Sequence, residues 1–284
     1  MNKRKKEGRR IRSLCPMNYV GLFIMPKRSD ATIFYADRVE VTKAEEYIRQ
    51  KKKEGLADFN MMYLILASYV RIVAEHPEIN RFVRGQRIYA RNGILVMMTI
   101  KLSMEVNSPE TVLKVELAPD ATAEQVYHTL HEEILKARQG NTEFDGTANF
   151  YSHMPRLLMR FFMHTIECLD YFGIMPRALT NISPFHASFA LTSTGSLRIE
   201  PVYHHLYNFG TTPLFCSFGN GYLEYSINEE GEKVKKKFVD LHFTMDERIT
   251  DGFGYATVFH KLKYIFQNPS LLDTPPLEVL EDID

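Results

Sequence analysis

The chain has 284 residues, 45% of them hydrophobic and 25% charged, with Lys+Arg and Asp+Glu balanced at 35 each. That balance excludes a global field for nucleic acid or an anionic membrane, and the length suffices for one large domain or two modest ones. Cys15, Cys168 and Cys216 show no metal-ligand spacing and leave one thiol over from any pairing, which points to a reducing, cytoplasmic setting.

The amino terminus (Lys3, Arg4, Lys5, Lys6, Arg9, Arg10, Arg12) reads as a solvated basic segment over residues 1–30, because like charges repel and stay in water. Residues 14–25 are apolar but interrupted by Pro16, Asn18 and Gly21, so no targeting segment is expected. Residues 33–41 alternate as a strand with Ile33, Tyr35, Val39 and Val41 inward. Thr42 with Glu45 predicts a capping box for a helix to Lys53. Asn60 is placed to cap a second helix, Met61–Glu75, apolar nearly all round and therefore buried; Pro77 ends it. Residues 87–90 and 94–102 read as strands that Asn92-Gly93 would join in a hairpin.

Residues 111–117 form another strand, and Thr122 with Gln125 opens a helix to Arg138 that Gly140-Asn141 closes. Residues 154–172 carry Arg156, Arg160, His164, Glu167 and Asp170 among their apolar residues, too many charges for lipid, and read as a buried or interface helix stopped at Gly173. A strand over 187–191 meets the small-residue turn Thr192-Ser193-Thr194-Gly195, and 213–218 is a buried strand. Residues 222–227 and 233–244 pair as a hairpin, while Pro269, Pro275, Pro276 and the acidic end mark an exposed tail over 270–284. Hairpins alternating with helices predict one α/β domain, residues 31–269, with a mixed sheet.

Residues 240–254 carry most of the functional signal: a strand pattern, a turn crowded with Asp246, Glu247, Arg248 and Asp251, then a helix that Asp251 is placed to cap. Met-Asp-Glu-Arg-Ile-Thr-Asp-Gly, residues 245–252, resembles the carboxy-terminal signature of the chloramphenicol acetyltransferase and dihydrolipoyl acyltransferase catalytic domains. That signature reads His, three residues, Asp-Gly, often with Asp before the His and Arg after it. Asp246, Arg248, Asp251 and Gly252 match, and Glu247 stands where the family carries its catalytic histidine. His-Pro-Glu-Ile-Asn, residues 76–80, after a buried helix is a second point of similarity, and His76 there reads as a helix C-terminal cap.

The resemblance implies a two-layer α/β sandwich with a mixed sheet, the catalytic domain alone, assembled as a homotrimer with no metal. It implies a channel between subunits in which coenzyme A, as acyl thioester, meets a thiol, hydroxyl or amine acceptor. By position it implies Glu247 as base, Thr192 or else Ser193 as the hydroxyl that steadies the oxyanion, and Asp251, before Gly252, as a structural carboxylate paired with an arginine near the amino terminus, for which Arg12 is the first choice. A catalytically inactive homologue, acting as a ligand-binding or structural trimer, is the alternative.

Unperturbed values near 4.3 for a Glu, 6.5 for a His and 8.5 for a thiol make abstraction by a carboxylate harder than by an imidazole by about 3 kcal/mol, on the order of a hundredfold in rate. Burial beside Asp246 would narrow that gap and Arg248 would widen it. Among the remaining candidates, His204-His205 reads as a hydrogen-bonded loop pair before a zinc fragment, Cys216 as an inert core thiol, and His242 as facing away from Glu247 if the strand runs straight.

Overall fold

A computed structural model describes residues 7–101, 110–139, 146, 151–227 and 230–284. Its main element is a seven-stranded mixed sheet with the order β2-β10-β8-β7-β5-β6, to which β9 adds by pairing with β10. The strands are β2 (Thr32–Glu40), β5 (Ile94–Lys101), β6 (Glu110–Leu117), β7 (Phe189–Ser193), β8 (Leu214–Phe218), β9 (Tyr222–Ile227) and β10 (Lys233–Asp246). β7 runs parallel to both β5 and β8, and the other pairings are antiparallel. A second sheet joins β1 (Gly8–Arg10), β4 (Arg87–Arg91) and β3 (Arg81–Arg84) in the order β1-β4-β3.

Helices form the second layer on one face of the main sheet. α2 (Thr42–Lys53) lies against β10, α3 (Met61–Glu75) against β5, α4 (Ala123–Gln139) against β6 and α7 (Gly252–Gln267) against β2, while α3 also packs on α2, α4 and α7. Strand parity sets this arrangement: Val239, Leu241, Phe243 and Met245 of β10 are buried in the core cluster, and Phe243 and Tyr35 meet Phe259 of α7 at ring-centroid distances of 4.8 and 4.3 Å. The expected inward set of β2 is confirmed by buried Val39 and by Ile33 and Tyr35 packed against the same core. α3 is buried nearly all round, as its sequence predicts, and Asn60 caps it by accepting from the Met62 amide at 2.9 Å. Thr122 and Gln125 exchange both bonds of their capping box, at 2.9 and 3.3 Å. The closing Gly140-Asn141 lies outside the described residues.

Several expectations are corrected. Asn92-Gly93 does not close a hairpin: β4 belongs to the small sheet and β5 to the large one, so the dipeptide is a bend between sheets. The tight hairpin is one element earlier, between β3 and β4, where Gly85 (φ 55°) and Gln86 (φ 49°) both take the left-handed conformation a primed turn demands. Thr42 is the first residue of α2 and not its cap; its hydroxyl accepts from the Lys237 amide at 3.0 Å, and Glu45 pairs with Lys237 Nζ at 2.8 Å. The amino-terminal segment is not loose from Gly8 onward: it enters β1, buries Ile11, and continues into α1 (Pro16–Ile24), which buries Leu22. The helix of residues 154–172 is α5 (Arg156–Tyr171), and on the single chain it is not buried, with Leu157 81% and Phe161 70% exposed.

A buried polar clasp anchors the far end of α5. Asp170 lies 2.9 Å from Arg84 Nε and 3.2 Å from His186 Nε2, and Arg84 and Arg91 both pair with Glu7. Burial works to raise both carboxyls, yet His186 and Arg84 around Asp170, and Arg91 and Arg84 around Glu7, hold them below the usual carboxylate range. Lys114 supports α6 (Arg177–Ile182) by donating to the Thr180 and Ser183 carbonyls at 2.6 and 2.7 Å, and burial pushes its ammonium down to about 8.

Two outcomes follow from this packing. A Cβ on Gly85 would meet the Tyr171 carbonyl oxygen at 2.4 Å, so Gly85→Ala costs the positive-φ penalty of about 1–3 kcal/mol plus that clash, read as a lower urea midpoint. Because Lys114 gives up its proton near 8 when folded against an ordinary 10.5, the unfolded chain holds more protons between those values, and this group makes stability rise with pH there. Urea titrations should find wild type gaining on Lys114→Gln between pH 7.5 and about pH 9.5.

Candidate functional site

β10 stays in one-to-one register with β2 as far as Asp246 opposite Thr32, so no bulge resets its faces before the turn. Asp246 therefore shares the face of His242 and Thr244, away from the helices, and is fully buried there. Arg248 grips it bidentately, Nε to Oδ1 at 2.8 Å and Nη2 to Oδ2 at 2.7 Å, and Arg28 Nε lies 3.4 Å from Oδ2. The arginines extend the grip outward. Arg248 Nη1 donates to the Met25 and Pro26 carbonyls at 3.0 and 3.2 Å, and Arg28 donates to the Tyr207 and Gly210 carbonyls. Burial pushes the Arg28 guanidinium down to about 10; Asp246 opposes that and Arg248 adds to it. Beneath them the Tyr255 hydroxyl donates to the Asp246 carbonyl at 2.9 Å, and burial, then Asp246, pushes that phenol well above its usual value.

Glu247 is the first residue past Asp246 and lies outside this buried pair. Its amide donates to the Ala31 carbonyl at 2.9 Å, and its side chain is exposed with no hydrogen bond or ion pair among the described residues. The expected burial of Glu247 beside Asp246 does not occur: Asp246 is committed to two guanidiniums, and the Glu247 side chain is exposed. Asp251 caps α7 as expected, accepting from the Gly254 amide at 2.9 Å. Arg12 is not its partner: it is exposed and makes no ion pair among the described residues. The arginines that hold the turn are Arg28, Arg248 and Arg81, the last donating from Nη1 to the Ile249 carbonyl at 3.2 Å. Gly252 opens α7 with free space where a Cβ would stand, whereas a Cβ on Gly254 would meet Thr250 Oγ1 at 2.1 Å, so Gly254 is the sterically required glycine.

Thr192 and Ser193 end β7. Thr192 is half-buried without a side-chain bond among the described residues, and Ser193 Oγ accepts from the Gly195 amide at 3.3 Å. Thr192 sits opposite Ser217 of β8, which sits opposite His242 of β10, so these three share one row and one face of the sheet, away from the helices. Glu247 is five residues further along than His242, about 16 Å at strand rise, and β10 is two strand spacings, about 10 Å, from β7. Within one chain the structure does not bring Thr192 and Glu247 together.

The other histidines take structural places. His242 stacks on Tyr203 at 4.5 Å. His204 stacks on Phe215 at 4.2 Å and bonds to the His205 carbonyl, and burial depresses its basicity. No group of three metal-ligating side chains is found among the described residues. His76 ends α3 through its backbone amide on the Ile72 carbonyl, with Nδ1 3.6 Å from Glu78. Cys216 is buried, and burial pushes its thiol far up, as expected for an inert core cysteine. No helix of the described residues is long and apolar enough to cross a membrane.

No protein-family model matches the chain, and no curated protein matches it in sequence. Solved structures do match. A probable dihydrolipoamide acetyltransferase from Listeria monocytogenes 4b F2365 superposes with a TM-score of 0.58 over 90% of this chain and 95% of its own, at 15% identity. The fold is that of an acyltransferase catalytic core. A structure of Azotobacter vinelandii dihydrolipoamide acetyltransferase, concerned with the roles of a serine, a histidine and an asparagine in its catalytic mechanism, gives 0.51 at 11% identity over 90% and 88% of the two chains. A chloramphenicol acetyltransferase gives 0.50 at 13% identity over 88% and 94%.

Arg28 and Arg81 were not legible in the sequence. Neither lies in a motif, and the only available signal was the bare presence of arginines upstream of an acidic turn. Removing the charge they hold tests the cradle: Asp246→Asn leaves two guanidiniums buried against a neutral amide and should cost about 3–5 kcal/mol, seen as a drop in thermal and urea midpoints.

Proposed function

We propose that this chain is a coenzyme A-dependent acyltransferase of the 2-oxoacid dehydrogenase acyltransferase type, moving an acyl group between a coenzyme A thioester and a thiol, hydroxyl or amine acceptor. The observation that carries the reading is the turn between β10 and α7. It is clamped from within by Asp246 and Arg248, capped by Asp251, and presents Glu247 outward, in a fold shared with acyltransferase cores over nine-tenths of the chain. Glu247 and Asp251 are four residues apart, the separation of the histidine and asparagine named for the Azotobacter vinelandii enzyme.

Thr192 and Glu247 are too far apart in one chain to touch the same reacting group. A site using both is built between two copies, which supports a homotrimer with one channel per interface. In that channel the Glu247 carboxylate of one copy removes the proton from the acceptor thiol, hydroxyl or amine as its heteroatom bonds to the thioester carbonyl carbon. The Thr192 hydroxyl of the next copy donates to the tetrahedral oxyanion. Collapse breaks the carbon–sulfur bond, and the departing coenzyme A thiolate recovers the proton from Glu247.

The isolation of the Glu247 carboxylate favours a second reading as well, in which the trimer is catalytically inactive and binds a ligand or serves as structure. Assays of acetyl transfer from acetyl-coenzyme A to dihydrolipoamide and to small amines and hydroxyls decide between them. The enzymatic reading expects Glu247→Ala to lower kcat/KM by about 10²–10⁴-fold and Thr192→Ala by about 10²–10³-fold. Unchanged turnover in Glu247→Ala removes Glu247 as the base. Glu247→His should raise an existing rate on the order of a hundredfold, whereas under the second reading it would turn an inactive protein into an active one.

A further inference from the structure

α5 is joined to the body of the molecule by very little of its surface. Along its 16 residues only Ile166 and Asp170 are buried, and Asp170 is the anchor, clasped by Arg84 and His186. The outward side is apolar. Leu157, Phe161, Cys168 and the cap residue Phe172 follow one another by four, seven and four positions, which keeps them within about 60° of one another around a helix of 3.6 residues per turn. All four are exposed, Phe172 by 67%; Leu158 borders them, and Ile174, 64% exposed, follows the helix end.

One edge of this stripe is basic. Arg156, Arg160 and His164 succeed one another along it, each a helical turn from the last. Arg156 and Arg160 are exposed and make no ion pair among the described residues, and Glu167 is the one acidic side chain that α5 leaves exposed. More positive charge collects at the clasped end. The Tyr171 hydroxyl donates to Gln86, whose neighbour Arg87 is exposed. Arg84 joins Asp170 to Glu7, the residue that follows Lys3, Arg4, Lys5 and Lys6 in the chain. Chain length alone keeps those four cations within about 15 Å of Glu7. The overall charge balance conceals this asymmetry: seven of the first twelve residues are Lys or Arg, against one Glu.

A helix of 16 residues that carries arginines is too short and too charged to cross a bilayer. Its pattern fits the plane of the membrane surface instead. Leu and Phe sink below the headgroups while the guanidiniums on their long stems reach back to lipid phosphates. Apolar burial by one short stripe holds a protein only weakly, and a basic segment beside it supplies the second signal, each Lys or Arg near an anionic surface strengthening binding about fivefold. We propose that α5 is a membrane-surface helix, whose stripe of Leu157, Phe161 and Phe172 docks on an anionic lipid bilayer while Arg156, Arg160 and the basic amino terminus bind the lipid phosphates. The inference rests on neither acyl transfer nor the trimer, and its test reads no turnover.

Flotation of the full chain with vesicles of phosphatidylcholine, alone or mixed with phosphatidylglycerol, tests it. Partition onto the mixed vesicles should exceed partition onto phosphatidylcholine at least about tenfold, and should fall as salt is raised from about 0.1 to about 0.5 M. Arg156→Gln with Arg160→Gln should cut that preference on the order of tenfold. Leu157→Glu with Phe161→Glu should lower partition at least about tenfold at an unchanged thermal midpoint, since both side chains are exposed. With the stripe intact, an environment-sensitive fluorophore on Cys168, in a Cys15→Ser background, should shift to the blue on mixed vesicles and not on phosphatidylcholine. Equal partition onto the two vesicle types, no binding to either, or wild-type partition of the Leu157 and Phe161 variant overturns the proposal. A Cys168 probe already blue-shifted without vesicles, together with a lower mass of that variant in light scattering, overturns it too, because another copy of the chain then covers the stripe.

Discussion

A single buried carboxylate between two guanidiniums organises the candidate site. Asp246 at the end of β10 is fully enclosed, which an ionised side chain tolerates only when its charge and lone pairs are met. Arg248 meets them from within the turn and Arg28 from the loop after α1. Each arginine then spends its remaining donors on carbonyls of other loops, at Met25, Pro26, Tyr207 and Gly210. Two loops distant in sequence, around residues 25–28 and 207–210, are thereby locked to one strand end. Rigid support of this kind is what a reactive group presented at a turn requires.

The same pair fixes the direction of Glu247. With Asp246 committed to its two arginines, the next side chain is exposed and makes no hydrogen bond or ion pair among the described residues. Sheet register carries the consequence further. Thr192, Ser217 and His242 line up across three strands, and Glu247 projects well beyond that row. A site assembled from these groups is incomplete on one copy, which agrees with the amount of apolar side chain the single chain leaves uncovered on α1, Met17 and Phe23 among it.

Features set by neighbouring residues were readable in the sequence. The caps at Asn60, at Asp251 and at the Thr122–Gln125 box depend on three or four consecutive positions, and each forms as written. Features set by long-range competition were not. Thr42 has the right spacing for a box with Glu45, but the Lys237 amide and ammonium claim both side chains from across the sheet edge. Asn92-Gly93 carries the strongest local hairpin signal in the chain, yet its flanking strands find better partners in two different sheets, and the hairpin goes to Gly85-Gln86. The basic start and the acidic end each read as tails. Nothing local reveals that Arg9 meets Asp284, a contact that joins residues at the two ends of the chain. The expected pairing of Arg12 with Asp251 fails for the same reason, since sequence gives the charge and not the address.

The ionic map also bears on what a glutamate at position 247 means. Charges on which folding depends here are the enclosed ones: Asp246 with Arg28 and Arg248, Arg81 with Asp282, Asp170 with Arg84. Each would cost several kcal/mol to break. Glu247 belongs to none of these sets, and the hydrogen bond that ties it to the fold comes from its backbone amide, which any non-proline residue would supply. Stability therefore places almost no demand on the side chain at 247, while it places a strict one on residue 246 beside it. The cradle fixes the backbone at 247 whatever side chain stands there. The side chain at 247 is exposed, so the effect of an imidazole there on turnover would report chemistry at that position with little contribution from refolding around it.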